Sequence, residues 1–259
     1  MFEVSILIMI LIFMFGGFIK GWSGFGTNLV VPPLLGFMAY FGDPKQAMVI
    51  VVSVNLFLNL AILIQSKKFN LDLLKSIWVL VVFGVLFNFV GAFFFSKIDD
   101  SWFRILLGLM IIIVTINRMF KLKFVVHHPE KYYIPMGIVS GILNGMFGLG
   151  GLPLLIVLGS SKMDKDVFKS TLVSYFFVMN IIYIISQGVI GGYYDMFVFT
   201  HIMYVIVFAV FATILGVYVS KRVSDQVFQR VMNVVLLFFG LNLIYFGIFK
   251  EHIFSLLQL

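Results

Sequence analysis

Ten apolar runs follow one another with almost no charge inside them: residues 4–19, 25–40, 46–64, 73–95, 102–117, 133–145, 149–160, 167–187, 197–220 and 227–249. A spanning helix needs roughly 20 such residues, and a chain of this pattern has to pair its backbone polar groups without water, which only helices or closed barrels achieve. Hydrophobic residues make up 62% of the 259 positions and charged residues 11%, about half the charge that an average soluble domain carries. The expected fold is therefore an all-α polytopic membrane protein. No long polar stretch remains for an extramembrane catalytic domain, so the function is expected within the bilayer.

The net charge of +7 would suggest a nucleic-acid partner in a soluble protein. Here the basic residues sit in short connections between apolar runs, where topology and anionic lipid account for them, and no nucleic-acid partner is expected. Cysteine is absent, which excludes disulfides, thiolate metal sites and cysteine nucleophiles. His127, His128 and Glu130 stand in a basic connection beside Pro129 and read as solvated surface. GFGTNL is not set in a strand-turn-helix unit, so no nucleotide site is read there. No metal or cofactor is expected. The opening MFEVSILIMILIFMFGGF has neither a basic start nor a small-residue cleavage site, and reads as a retained first helix.

Two pairs of runs, the first and the sixth-plus-seventh, are short and interrupted by glycine. A break in a membrane helix exposes backbone groups, so it must be covered by protein or line a polar cavity. The halves of the chain align at a displacement of 124 to 125 residues: GWSGFGT (Gly21–Thr27) lies over GMFGLGG (Gly145–Gly151), Gly17 over Gly141, Asn55 over Asn180, Gly91 over Gly216, Asp100 over Asp225 and Asn117 over Asn242. Two repeats are expected, residues 1–124 and 125–259. Each holds a glycine-broken hairpin followed by three transmembrane helices, making about ten helical segments, commonly counted as eight.

Charge separates two topologies. If each hairpin returns to its starting side, one face receives Lys67, Lys68, Lys75, Arg118, Lys121, Lys123, Lys131, Lys162, Lys165, Lys169, Lys221, Arg222 and Arg230; the other receives Lys45, Lys97, Arg104 and Lys250. If each hairpin is one crossing, the basic residues divide almost evenly. The positive-inside rule selects the first arrangement. Both termini then lie outside the cytoplasm and the repeats are inverted, an architecture recurrent among transporters. Parity does not distinguish re-entrant from fully spanning hairpins. Apolar surface facing lipid also looks like surface facing a second copy, so a homo-oligomer stays open.

The breaks carry the candidate chemistry. In the first, Gly21, Gly24 and Gly26 alternate with Lys20, Ser23, Thr27 and Asn28; in the second, Asn144, Gly145, Gly148, Gly150 and Gly151 precede Pro153. Residues just after each turn start a helix with unpaired N–H groups, which attract anions. Ser23, Thr27 and Asn28 add side-chain donors, and Lys20 is a cation that follows sixteen largely apolar residues and adjoins the break. It either snorkels to the interface or lines a cavity, where it suits an anionic substrate. Asn55 and Asn180 join the candidates through their equivalent positions after the hairpins. Acidic residues occupy connections or their edges, so the buried carboxylate typical of proton or sodium coupling is missing. An anion leaving an inside-negative cell gains about 2.3 kcal/mol per charge per 100 mV, enough to favour uncoupled export. A small-anion transporter is the leading expectation, with an uncoupled channel, a membrane enzyme or a scaffold behind it.

The stretches GGFIKGWSGFGTNLVVPPLL and GIVSGILNGMFGLGGLPLL, each opening a half, resemble the glycine-rich signature of the sulfite exporter TauE/SafE family. The resemblance covers nearly the whole chain. It implies an inner-membrane permease, often an exporter, for sulfite, sulfoacetate or related organosulfonates, and it points to Gly21, Gly24, Gly26, Gly145, Gly148, Gly150 and Gly151. The first half departs from the signature by carrying Thr27 and Asn28 where members often continue with glycine.

Overall fold

A computed structural model describes residues 2–24, 26–36, 43–66, 71–120, 129–159, 165–220 and 225–257. Every element among them is helical: α1 Phe2–Ser23, α2 Thr27–Gly36, α3 Pro44–Ser66, α4 Leu71–Ser76, α5 Trp78–Lys97, α6 Asp100–Phe120, α7 Tyr133–Phe147, α8 Gly151–Gly159, α9 Lys165–Ser186, α10 Met196–Ser220 and α11 Asp225–Leu257. A 3-10 turn, Pro129–Tyr132, leads into α7, and a π-helical turn, Gln187–Gly191, extends α9. Among the described residues, seven helices (α1, α3, α5, α6, α9, α10 and α11) are long and apolar enough to cross a membrane. The chain is an all-α polytopic membrane protein. The boundary expected at 124/125, and His127 and His128, lie outside the described residues.

Two details differ from the apolar runs. The run at 73–95 divides into α4 and α5 at Ile77, whose backbone (φ −111°, ψ 23°) leaves the helical region. The first arm of the first hairpin is longer than its run, because α1 continues through Lys20 to Ser23; polar residues end an apolar run without ending a helix. The second arms are short. α2 has ten residues and α8 nine, rises of about 15 Å against a hydrocarbon thickness of about 30 Å.

α3 is the axis of the molecule. Of its most apolar stretch 72% is buried inside the protein, against 28–44% for the other six long helices. Its unbroken Ala47–Val52 run, with neither face polar, explains this: all six side chains are buried. α3 packs on α9, α1 on α10, α7 on α5 and α6 on α11. Glycine ridges make the close seams. A Cβ on Gly17 would lie 2.5 Å from the Ala209 carbonyl oxygen, and one on Gly21 would overlap that of Thr213. In the other half a Cβ on Gly141 would lie 2.5 Å from the Gly84 carbonyl oxygen, and one on Gly145 would overlap that of Asn88. The aligned positions thus make the same contacts, each hairpin's first arm lying along a helix of the opposite half. In both seams the residue numbers rise together, so the paired helices run parallel.

One end of the bundle is fixed by polar contacts between connections. Asp43 accepts from the Lys45 backbone N–H (2.7 Å) and Asp195 from that of Val198 (2.8 Å), capping the starts of α3 and α10. Lys45 reaches Asp100 at the start of α6 (4.0 Å), and Gln46 donates to Asp195 (3.4 Å). The starts of α3, α6 and α10 therefore share this end with the finish of α5. It follows that α5 and its aligned counterpart α10 run in opposite directions. α1, parallel to α10, begins at this end. α11, antiparallel to α6 through contacts of Gly240 with Gly108 and Gly247 with Ser101, finishes here. Lys45, Lys97 and Arg104, grouped by charge sorting, are together.

Candidate functional site

The first break is built from α1's own last turn. The Gly24 N–H donates to the Lys20 carbonyl (2.7 Å) and Ser23 Oγ to that of Ile19 (2.9 Å), after which Gly26 takes a φ of 114°. That left-handed value favours glycine, and it turns the chain into α2. Thr27 Oγ1 then donates to the Gly16 carbonyl (3.2 Å), pinning the start of α2 to α1. In the second break, Gly148 (φ 62°) caps α7, its N–H donating to the Asn144 carbonyl (2.8 Å), while the Leu149 N–H reaches that of Leu143 (3.3 Å). Ser140, aligned with Gly16, donates to the Gly150 carbonyl and shares a hydrogen bond with the Tyr175 hydroxyl. Both hairpins are tied at the same place, with donor and acceptor exchanged.

The two breaks meet. Asn28 Nδ2 donates to the Gly148 carbonyl (2.6 Å), and Asn28 Oδ1 accepts from Asn55 Nδ2 (2.7 Å). Beside this bridge lies a cleft of about 30 Å³, whose polar side is Lys20, Gly26, Asn28, Asn55, Gly148 and Gly151. Leu29, Leu149, Leu155 and Phe176 complete it. Both α2 and α8 begin at its wall. Lys20 is only 1% exposed, and its Nζ lies 5.3 Å from the centre of the Phe176 ring. Among the described residues no acidic side chain pairs with it. Asn55 Oδ1, also buried, has no hydrogen-bond partner. A buried cation without a counter-charge is costly in an apolar medium, and two helix starts add partial positive charge beside it.

Six of the fourteen candidate residues line the cleft: Lys20, Gly26, Asn28, Asn55, Gly148 and Gly151. The others hold it in place. Gly21 and Gly145 sit in the glycine seams, Ser23 and Gly24 form the first turn, Thr27 pins α2, and Gly150 packs on the Asn144 side chain. Asn144, aligned with Lys20, donates to the Met179 carbonyl on α9 (3.0 Å). Asn180 faces α3: with its amide oriented to satisfy both ends, it accepts from Asn59 Nδ2 (3.1 Å) and donates to the Phe176 carbonyl (3.3 Å). The sequence reading missed the apolar wall, including Phe176; the only signal was its place one helical turn before Asn180.

The fold and site together define a polytopic membrane protein with a lysine-lined cleft between two broken hairpins. The chain belongs to the sulfite exporter TauE/SafE family, whose model matches residues 9–243. It is 21% identical over 280 residues to the probable membrane transporter protein YunE of Bacillus subtilis, an alignment covering 95% of this chain and 100% of that relative. A second probable membrane transporter protein, from Methanocaldococcus jannaschii, is 28% identical over 181 residues, covering 62% of this chain and 65% of the relative. No solved structure matches the chain. The protein is a membrane transporter of the TauE/SafE type.

Replacing Asn28 by Ala removes the link between the breaks and strips Asn55 Nδ2 of its acceptor. The expected cost is about 1–3 kcal/mol of stability, read as a lowered melting temperature in detergent. Asn28→Ala with Asn55→Ala is expected to cost less than the sum of the two single changes, because both act on one hydrogen-bond chain; additive losses would contradict the bridge.

Proposed function

We propose that the protein is a permease for small anions, sulfite first and sulfoacetate or related organosulfonates next, which it exports by alternating access with the anion held between the two breaks. The observation that carries this is Lys20, buried without a carboxylate in a cleft where α2 and α8 both begin. The bound anion accepts from Lys20 Nζ and from backbone N–H groups of the two helix starts. It thereby supplies the charge that the empty cleft lacks. Membership of the sulfite exporter family supports the substrate class. The volume of about 30 Å³ has room for about two waters, the scale of a small inorganic oxyanion. The role is transport without catalysis or a cofactor.

The reading extends to topology. Residues 1–124 and 125–259 form inverted repeats, supported by the opposed directions of α5 and α10 and by the matching glycine seams. In the plasma membrane of the cell, the end bearing Lys45, Lys97 and Arg104 faces away from the cytoplasm, with both termini, because most basic connections lie at the other. Lipid surrounds the bundle, and no nucleic acid takes part. Among the described residues the candidate spans hold no acidic residue beyond Asp100 at the first position of α6, which supports efflux driven by the membrane potential alone, at about 2.3 kcal/mol per charge per 100 mV.

In vesicles containing the purified protein, sulfite flux is expected to saturate and to respond to an imposed voltage at constant pH. Lys20→Met is expected to reduce flux at sub-saturating sulfite about tenfold or more, equivalent to about 1.4 kcal/mol; unchanged KM and Vmax would sink the assignment, and non-saturating flux would indicate a channel. For topology, a reporter active only in the cytoplasm is expected to be silent when fused after residue 259 and active when inserted in the 118–131 connection. The reverse pattern would overturn the orientation.

A further inference from the structure

Among the described residues, Phe176 is the one aromatic side chain in the cleft wall, and it touches both of the positive features there, Lys20 and the start of α8. Lys20 Nζ stands 5.3 Å from its ring centre, a cation-π distance that holds the ammonium against an apolar face. The far edge of the ring lies on Gly151, the first residue of α8, so closely that a Cβ there would overlap Cζ and Cε1. The ring is therefore laid across the start of α8 and over the lysine at once. It is carried by α9, whose neighbouring Tyr175 and Met179 are fully buried, so the ring's backbone is held by packing on both sides. The ring forms one side of the cleft, whose volume is about 30 Å³.

We propose that Phe176 is the specificity-determining residue of this transporter: its ring limits the space beside Lys20, favouring an inorganic oxyanion over sulfonates that carry a carbon chain. This rests on the reading of the cleft as the anion site. The ring covers the positive groups while the cleft is empty and forms its apolar limit when an oxyanion enters. A carbon chain attached to the anion would have to occupy the volume that the ring already fills. Gly151 belongs to the same device, since any side chain there would push the ring away from the helix start.

The test measures binding of sulfite, methanesulfonate and sulfoacetate, in order of size, by calorimetry on purified protein. The proteins are the unaltered chain, Phe176→Ala, Phe176→Leu and Lys20→Met, each checked by thermal melting. The unaltered chain is expected to bind sulfite at least tenfold more tightly than sulfoacetate. Phe176→Ala is expected to narrow that ratio tenfold or more, and Phe176→Leu, which keeps an apolar side chain on α9, to narrow it part of the way. Loss of sulfite binding in Lys20→Met together with an unchanged ratio in the Phe176 variants would overturn the filter and leave the anion site standing. If the alanine variant fails to fold, the leucine variant decides alone. Sulfite binding unaffected by Lys20→Met, or absent from the unaltered chain, would overturn the anion-site reading and the filter with it.

Discussion

A helix broken inside an apolar surround leaves backbone N–H and C=O groups that hydrocarbon cannot satisfy, and the chain does this twice. Everything near the cleft answers that constraint. The exposed carbonyl of Gly148 is met by Asn28 from the other half, and the start of α2 is pinned by Thr27 to Gly16. Ser140 serves the second hairpin by binding the Gly150 carbonyl. Residues at the two helix starts, Gly26, Asn28 and Gly151, line a cleft. The breaks are held in this relation by the glycine seams, which let α1 and α7 lie along α10 and α5 at backbone contact distance. If those seams were wider, the hairpin tips would separate and Asn28 would lose Gly148.

The second constraint is charge. Desolvating an ammonium without a partner opposes folding, so Lys20 represents a cost that the fold carries in its empty state, reduced by the Phe176 ring. On the proposed function, an anion that enters offsets this cost. The proposal thus rests on a buried cation, just as the shape of the site follows from unsatisfied backbone. The aligned position in the second half is Asn144, neutral and bonded to the Met179 carbonyl. Among the described residues the cleft therefore has its one lysine on one side, opposite a neutral amide at the aligned position.

Much of this was legible in the sequence because the signals were discrete. Glycines that recur 124 to 125 residues apart mark the seams and the breaks, and a lone lysine at the end of the first apolar run marks the cleft. The fate of the hydroxyls was not legible. Ser23 and Thr27 look like anion donors, yet they bond carbonyls of α1 within their own hairpin, because the nearest unsatisfied acceptor is backbone and not substrate. Asn180 lies over Asn55 in the alignment but binds α3, since the axial helix approaches it from the side away from the cleft. Phe176 is one of 32 phenylalanines, and nothing in a sequence so rich in that residue distinguishes a ring facing a lysine from one facing lipid. Polar residues announce where a site is; apolar neighbours set its dimensions and appear only when the helices are placed.

The central claim is that the two breaks and Lys20 together hold an anion. Anomalous diffraction from crystals of the purified protein soaked with selenite, the heavier analogue of sulfite, tests it directly. The account predicts a selenium peak between the starts of α2 and α8, within hydrogen-bonding reach of Lys20 Nζ. A cleft empty at saturating selenite, with the peak elsewhere on the protein, would contradict it.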